Sequence, residues 1–405
     1  MYVPAPKIPV GLGLDMAKAN PEILKWARET AGLSLEEAAS KLALGGKRVT
    51  GSEMLAAYEA GDRSPTQPQL MKMVKHYHRP FITFFLPTPP RSASLGEDFR
   101  RLPEAKRDEH QGSVSALVRD IYLRQSLVKD ALIDKEEDVI VDFVGKGQVT
   151  SAVDSACRTI RDYFEIDIAA YRRRKGAHEA FKYLREKIEI KGIYVLLIGD
   201  LGSNHSSINT EAFRGFALSD PIAPFVVINQ NDSKSAWCFT LLHEVVHLWL
   251  GKTGISAQTH EHKIERYCND VASHILISAD EVSEVYEAAM QSEETFVIAL
   301  QREAGDLNVS ASLVAYRLFR SNLLNQAQWE RASTELRELW LNSKAKSKES
   351  ESGSSGNFYN TQRHRAGGAL ISLVRRSLQD GVLTETKAGR VLGVNPGNVA
   401  EMVGF

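Results

Sequence analysis

The chain has 405 residues, 43% hydrophobic and 25% charged, with a formal net charge of -1. That length exceeds one average domain, and the near-neutral balance argues against a whole-chain affinity for nucleic acid or membrane. No apolar run approaches the roughly 20 residues of a membrane span, and Met1-Tyr-Val-Pro-Ala-Pro-Lys7 lacks the apolar core of a signal peptide, so a cytoplasmic protein is expected. Cys157, Cys238 and Cys268 are too far apart in sequence to suggest a disulfide framework or a thiolate metal site.

Residues 20 to 80 carry the start signals of several short helices. Asn20-Pro21 offers a cap followed by proline at the first helical position. Ser34-Leu-Glu-Glu37 and Thr50-Gly-Ser-Glu53 are capping boxes, in which the hydroxyl takes the third amide of the helix and the glutamate reaches back to the cap. Three or four helices joined by short turns are the grammar of a helix-turn-helix module. The stretches Gly32-Leu-Ser-Leu-Glu-Glu-Ala-Ala39 and Leu55-Ala-Ala-Tyr58-Glu59-Ala-Gly61-Asp-Arg-Ser-Pro65, with the tail Arg79-Pro80-Phe-Ile-Thr-Phe-Phe-Leu-Pro87, resemble the Xre (phage-repressor-like) helix-turn-helix family. The resemblance covers about 60 residues and departs at Ala43-Leu-Gly-Gly-Lys-Arg48, where that family has a shorter turn.

Between residues 20 and 80 nine Lys/Arg face seven Asp/Glu, an excess of two positive charges and no basic stripe of the kind a DNA-binding face shows. Lys47, Arg48, Thr50 and Ser52, at the start of the helix that would enter the major groove, are the candidate contacts to phosphates or base edges. Glu53 would repel phosphate there. Binding of DNA and docking or dimerisation through this module therefore both stand as readings.

Residues 91 to 190 are charged and mostly helical in pattern, with Val114, Leu117, Ile121 and Val128 at helical spacing. Tyr171-Arg-Arg-Arg-Lys175 reads as a solvated helix end. The period then changes: Gly192–Ile198, Phe213–Leu218 and Pro224–Asn229 are short β-type runs bounded by turn residues, which predict a small sheet.

Directly after the sheet comes Thr240-Leu-Leu-His243-Glu244-Val-Val-His247-Leu-Trp-Leu250-Gly251, an H-E-x-x-H in an apolar run without a helix breaker. Positions four apart share one face of a helix, so His243 and His247 can turn both imidazoles to one metal ion. Glu244 then stands where a carboxylate can take a proton from a water that the ion activates, the arrangement of a zinc-dependent peptidase. A sheet edge beside such a site would let an extended peptide add as a strand.

Such a site needs a third protein ligand, and His260, Glu261, His262, Glu265 and Asp270 follow downstream. Ile264 to Leu276 reads as an amphipathic helix whose apolar stripe includes Glu265, Cys268, Asn269, Ala272, Ile275 and Leu276. A carboxylate on that stripe is costly to bury unless a cation compensates it, which favours Glu265. His260 and His262 remain as alternatives. Asn269, one turn on, could hold the far nitrogen of a ligating histidine. His274 borders the stripe, either as a structural residue or as support or oxyanion donor to the site.

His243-Glu244-Val-Val-His247 followed by Glu265-Arg-Tyr-Cys-Asn269, with Phe213-Arg-Gly-Phe216 and Pro224-Phe-Val-Val-Ile-Asn229 before it, resembles the ImmA/IrrE family of zinc metallopeptidases. The resemblance runs from about Gly192 to Ile277 and departs at Cys268, where the family has a small alanine, and at Ile277-Ser278, where a proline commonly closes the helix. It implies His243, His247 and Glu265 as zinc ligands and Glu244 as general base. Members of the family usually cut a helix-turn-helix repressor, and fusion behind an Xre module is a familiar architecture of phage, mobile-element and toxin-antitoxin neighbourhoods.

The expectation for the whole chain is an α+β, mostly helical protein: an N-terminal all-α helix-turn-helix domain (1–90), a helical connection (91–190), a zincin-like peptidase domain with a small sheet and the H-E-x-x-H helix (191–341), a Ser/Lys/Glu/Gly-rich flexible linker (342–365) and a small C-terminal helical segment (366–405). Leu383 to Val394 resembles the start of another helix-turn-helix, with a docking or oligomerisation tail as the other reading. The expected partners are a protein substrate, such as a repressor or other regulator, DNA through the N-terminal domain, and a second copy in a homodimer, with no membrane. The alternative to an enzyme is a DNA-binding regulator or antitoxin whose peptidase-like domain senses or docks a partner.

Overall fold

Asn20, Ser34 and Thr50 each cap a helix, as their sequences predict. Asn20 Oδ1 accepts from the Glu22 amide at 3.0 Å, and both capping boxes form, with Ser34 and Thr50 reciprocated by Glu37 and Glu53. The computed structural model describes residues 18–46, 48–77, 79–89, 104–202, 206–251, 258–350 and 357–404. The chain divides into two units, Met1–Ala93 with Lys106–Ala116, and Ser94–Ala105 with Leu117–Phe405.

In the first unit, α1 (Pro21–Thr30), α2 (Leu35–Leu42), α3 (Gly51–Ala60) and α4 (Gln67–Tyr77) are followed by a 3-10 turn at Phe81–Phe85. They bury a shared core that includes Ile23, Leu24, Leu42, Leu55, Met73 and Phe84. Arg28 ties α1 to α3 through a bidentate pair with Glu59 at 2.7 and 2.8 Å. The tail closes back on the start, with Asn20 N donating to Phe84 O at 2.7 Å and Asn20 Nδ2 to Leu86 O at 2.9 Å. Between α2 and α3 the chain turns at Ala43, whose φ is 51°; Lys47 lies outside the described residues.

The long helix α5 (Glu104–Asp134) has residues in both units and buries Val114, Leu117, Ile121 and Val128 at the spacing read from the sequence. In the second unit α6 (Val153–Tyr163), α7 (Ile168–Arg172) and α8 (Ala177–Glu189) lead into β1 (Tyr194–Leu197), β2 (Gly215–Leu218) and β3 (Phe225–Ile228). The sheet order is β1-β3-β2, with β1 parallel and β2 antiparallel to β3. Every strand residue is buried, which explains their unbroken apolar runs. Buried Gln125 on α5 closes the β2–β3 turn by donating to Leu218 O at 3.1 Å and Ala223 O at 2.8 Å.

Next comes α9 (Lys234–Trp249), which packs on α8, β2 and β3, and on α10 (Gln258–Leu276). Covered on several sides, it is apolar nearly all round. Its last carbonyls are satisfied by the loop before α6: Gly145 N donates to Leu248 O at 3.0 Å and Gly147 N to Trp249 O at 2.7 Å. A Cβ on Gly147 would stand 2.3 Å from the Trp249 ring, so only glycine lets this loop approach.

The helices α11 (Ala279–Gln291), α12 (Phe296–Asp306) and α13 (Ala311–Arg320) complete this core, α13 being capped by Ser310. Helix α14 (Gln326–Ser350) forms a smaller cluster in which Ala332 and Leu336 meet Val297 and Ala315. The basic run at Tyr171–Lys175 differs from its reading as a solvated helix end. Tyr171 is fully buried and donates to Asn308 O at 2.6 Å, and Arg172 pairs with Glu281 at 3.0 Å while donating to Leu307 O at 2.6 Å. Only Arg173, Arg174 and Lys175 face solvent.

Part of the stretch read as a linker, 342–365, is helical. The helix α14 continues to Ser350, and α15 (Phe358–Ala366) begins before that stretch ends; residues 351–356 lie outside the described residues. The Lys- and Glu-rich composition that suggested a solvated linker also suits an exposed helix end. After α15 come α16 (Gly368–Gln379), α17 (Glu385–Leu392) and α18 (Val399–Val403). The segment docks on β1: buried Arg185 donates to Val195 O and to His364 O, and Arg365 reaches Asp200 at 3.0 Å and Gln230 at 2.5 Å. Among the described residues no helix is long and apolar enough to cross a membrane.

Candidate metal centre

Two side chains one turn apart on α9 and one on α10 meet at a point. His243 Nε2 and His247 Nε2 are 3.1 Å apart, and Glu265 brings Oε2 to 3.3 Å from the first and Oε1 to 3.2 Å from the second. The histidines are 1% and 3% exposed, while the Glu265 side chain keeps 28%. If both nitrogens donated to the carboxylate, their two N–H groups would repel each other at this separation. Lone pairs converging on a cation remove that conflict, so the donor set suits a metal ion, and these three residues are a group able to hold one.

Glu244 is 2% exposed and sits between the histidines in sequence. The backbone of β2 fixes where its carboxylate can go. A Cβ on Gly215 would stand 2.9 Å from Glu244 Oε1 and 2.6 Å from Thr240 Cγ2, so the first residue of β2 lies directly against the exit of the Glu244 side chain. Asn229 N donates to Arg214 O at 2.7 Å. By the two-residue alternation of an antiparallel pair, Gly215 and Ala217 then direct their N–H and C=O groups away from β3.

Other candidates fall elsewhere. Among the described residues Asn269 is half-buried and makes no hydrogen bond to either histidine, so the expected support of a ligating ring is not observed. His274 is not brought into the site: nine residues past Glu265 it lies about 180° around the helix. Its Nδ1 donates to Asp270 O at 2.7 Å and its Nε2 accepts from Arg317 Nη1 at 2.6 Å. Burial and then the Arg317 charge push the His274 pKa down. Asp270 likewise turns away and pairs with Arg320. His262 is exposed, and the side chains of His260 and Glu261 lie outside the described residues. In the first unit Arg48 and Thr50 are exposed and Ser52 is half-buried.

Two contributors were not singled out from the sequence. Gly215 lies in the Phe213-Arg-Gly-Phe216 run, but only its distance to Glu244 gives it a role. Asn229, fully buried, was read as a turn residue. Its Nδ2 donates to Phe213 O at 3.0 Å and Ile208 O at 3.3 Å, and its Oδ1 accepts from Asn231 N at 2.9 Å, fixing the loop that leads into β2. An asparagine closing an apolar strand is the only sequence signal for it.

Residues 200–319 match a peptidase family model, Peptidase_M78, the IrrE N-terminal-like domain. The matched segment starts just after β1, ends within α13 and contains His243, Glu244, His247 and Glu265. It is similar to a metallopeptidase domain over that length. No curated protein matches the chain.

Proposed function

We propose that the protein is a zinc-dependent endopeptidase that cleaves a repressor or other regulatory protein and so switches gene expression. The observation that carries this reading is the convergence of His243, His247 and Glu265. Taking one ligand atom from each, the three groups lie within 4.8 Å of one another, and His243 Nε2 and His247 Nε2 are 3.1 Å apart, close to the roughly 3.3 Å between two ligand atoms ~2.0–2.1 Å from a tetrahedral zinc. Zinc held there supplies a Lewis acid that polarises the scissile carbonyl and acidifies water.

The chain's own groups do the rest. Glu244 takes the proton from the attacking water and returns it to the leaving amine, and its confinement against Gly215 keeps the carboxylate aimed. A substrate segment pairs with the Gly215 and Ala217 backbone groups of β2, which presents one peptide bond to the site. Glu244→Gln removes the base while keeping the shape. It is expected to retain metal and lose cleavage; unchanged cleavage would refute the role of Glu244.

The first unit serves as the regulatory module, a helix-turn-helix of Xre type. Thr50 is engaged in its capping box, which leaves Arg48 and Ser52 as the described candidates for DNA. The Glu53 carboxyl, held below its ordinary range by the Thr50 N–H and hydroxyl, is charged at the same helix start. That charge favours docking of a protein over binding of a phosphate backbone. A gel-shift titration in which Arg48→Ala weakens DNA binding would instead support the regulator reading.

A further inference from the structure

Glu265 reaches the two histidines from a side chain that keeps 28% of its surface exposed. Where its carboxylate can reach depends on the rotation and height of α10. That helix rests on α9 and α6 through the apolar residues Cys268, Val271, Ala272 and Ile275. Close packing holds such a helix but supplies no directional bond that sets its angle. A metal site tolerates only about 0.5 Å of displacement.

A charge-assisted attachment lies on the opposite side. Five residues after Glu265, and roughly 140° around the helix, the 8%-exposed Asp270 receives three donors from α13. Tyr316 Oη donates to Oδ1 at 2.7 Å, Arg320 Nε to Oδ1 at 2.9 Å and Arg320 Nη2 to Oδ2 at 2.7 Å. The planar fork of the arginine matches the carboxylate edge and so fixes angle as well as distance. The Asp270 carbonyl is itself held by Ser273 Oγ at 2.9 Å and His274 Nδ1 at 2.7 Å, with buried Arg317 behind His274. Neither Asp270 nor its partners has a place in the chemistry of the site.

We propose that Asp270, gripped by Tyr316 and Arg320, is the positioning residue for Glu265, setting the rotation and height of α10 so that the carboxylate meets His243 and His247. The inference rests on the reading of those three residues as the metal site. It makes α13, which contributes no ligand, part of what determines metal affinity.

The test measures zinc affinity of the purified full chain by competition with a chromogenic chelator, beside thermal unfolding of the metal-free protein. Asp270→Asn keeps the size of the side chain and removes the charge-assisted fork; Tyr316→Phe removes one donor. Val374→Ala, which opens a cavity on α16 outside the core cluster that holds α10, serves as a control that lowers stability elsewhere. Asp270→Asn is expected to weaken zinc binding about tenfold or more and Tyr316→Phe by a smaller factor, with Val374→Ala within twofold of the wild type. Zinc affinity within twofold of the wild type in both variants overturns the proposal, whatever happens to their melting temperatures. Should Asp270→Asn fail to fold, Tyr316→Phe alone decides. A wild-type chain that takes up no zinc contradicts instead the metal-site reading beneath it.

Discussion

Gly215 and Glu244 are in backbone-to-carboxylate contact: a methyl group on the first would stand 2.9 Å from Oε1 of the second. Strand β2 therefore does more than offer an edge. It forms the wall that holds the Glu244 carboxylate.

Gly215→Ala is expected to destabilise the second unit by about 1–3 kcal/mol through overpacking and to lower kcat while leaving zinc content unchanged. Thr240 Cγ2 is the nearest atom to the added methyl, at 2.6 Å, so Gly215→Ala/Thr240→Ser should recover part of the stability. It should not recover the rate, because the crowding of Glu244 persists. Urea unfolding and steady-state kinetics on the two variants check this; a full recovery of kcat would show that Glu244 is not confined by β2.

Asn229 is the internal tie of the loop before β2. Asn229→Ala leaves buried carbonyls of Phe213 and Ile208 without their donor and is expected to cost about 2–4 kcal/mol. Asn229→Asp should cost more, since it sets a carboxylate against those same oxygens. Chemical denaturation of both variants gives the ranking, and an aspartate variant as stable as the wild type would contradict it.

The docking of α15 on β1 should depend on pH. Burial, followed by the charges of Arg185, His178 and Lys234, pushes His364 down to about 4. An unfolded histidine titrates at about 6.5. Because the folded value is depressed, the stability that neutral His364 allows is complete above pH 6.5. It is lost progressively as the pH falls towards 4, where the unfolded chain binds the proton first. Melting temperature measured from pH 7.5 to 4.5 should fall more steeply for the wild type than for His364→Gln. Parallel curves would remove His364 from the explanation.

What could be read from the sequence was local. The capping boxes at Ser34 and Thr50, the pairing of His243 with His247 one turn apart, and the burden of Glu265 on an apolar stripe all depend on spacings within one helix. The three strands were legible from their apolar runs. The features that escaped depend on contacts distant in sequence: Gly215 against Glu244, Asn229 against the Ile208–Phe213 loop, and Asp270 against Arg320 fifty residues on. His274 borders the apolar stripe in sequence and reads as either structural or supporting; the helix turns it to Arg317, in keeping with the structural reading. Arg172 looked solvated because its partners, Glu281 and the carbonyl of Leu307, come from helices far downstream.

If His243, His247 and Glu265 hold one zinc ion, metal analysis of the purified chain will show it. The wild-type chain, purified and dialysed without chelator, is compared with Glu265→Ala by atomic emission. Close to one zinc per wild-type chain is expected, and a loss of most of it in Glu265→Ala with the fold retained by circular dichroism. Equal zinc in the two proteins, or none in the wild type, would contradict that expectation.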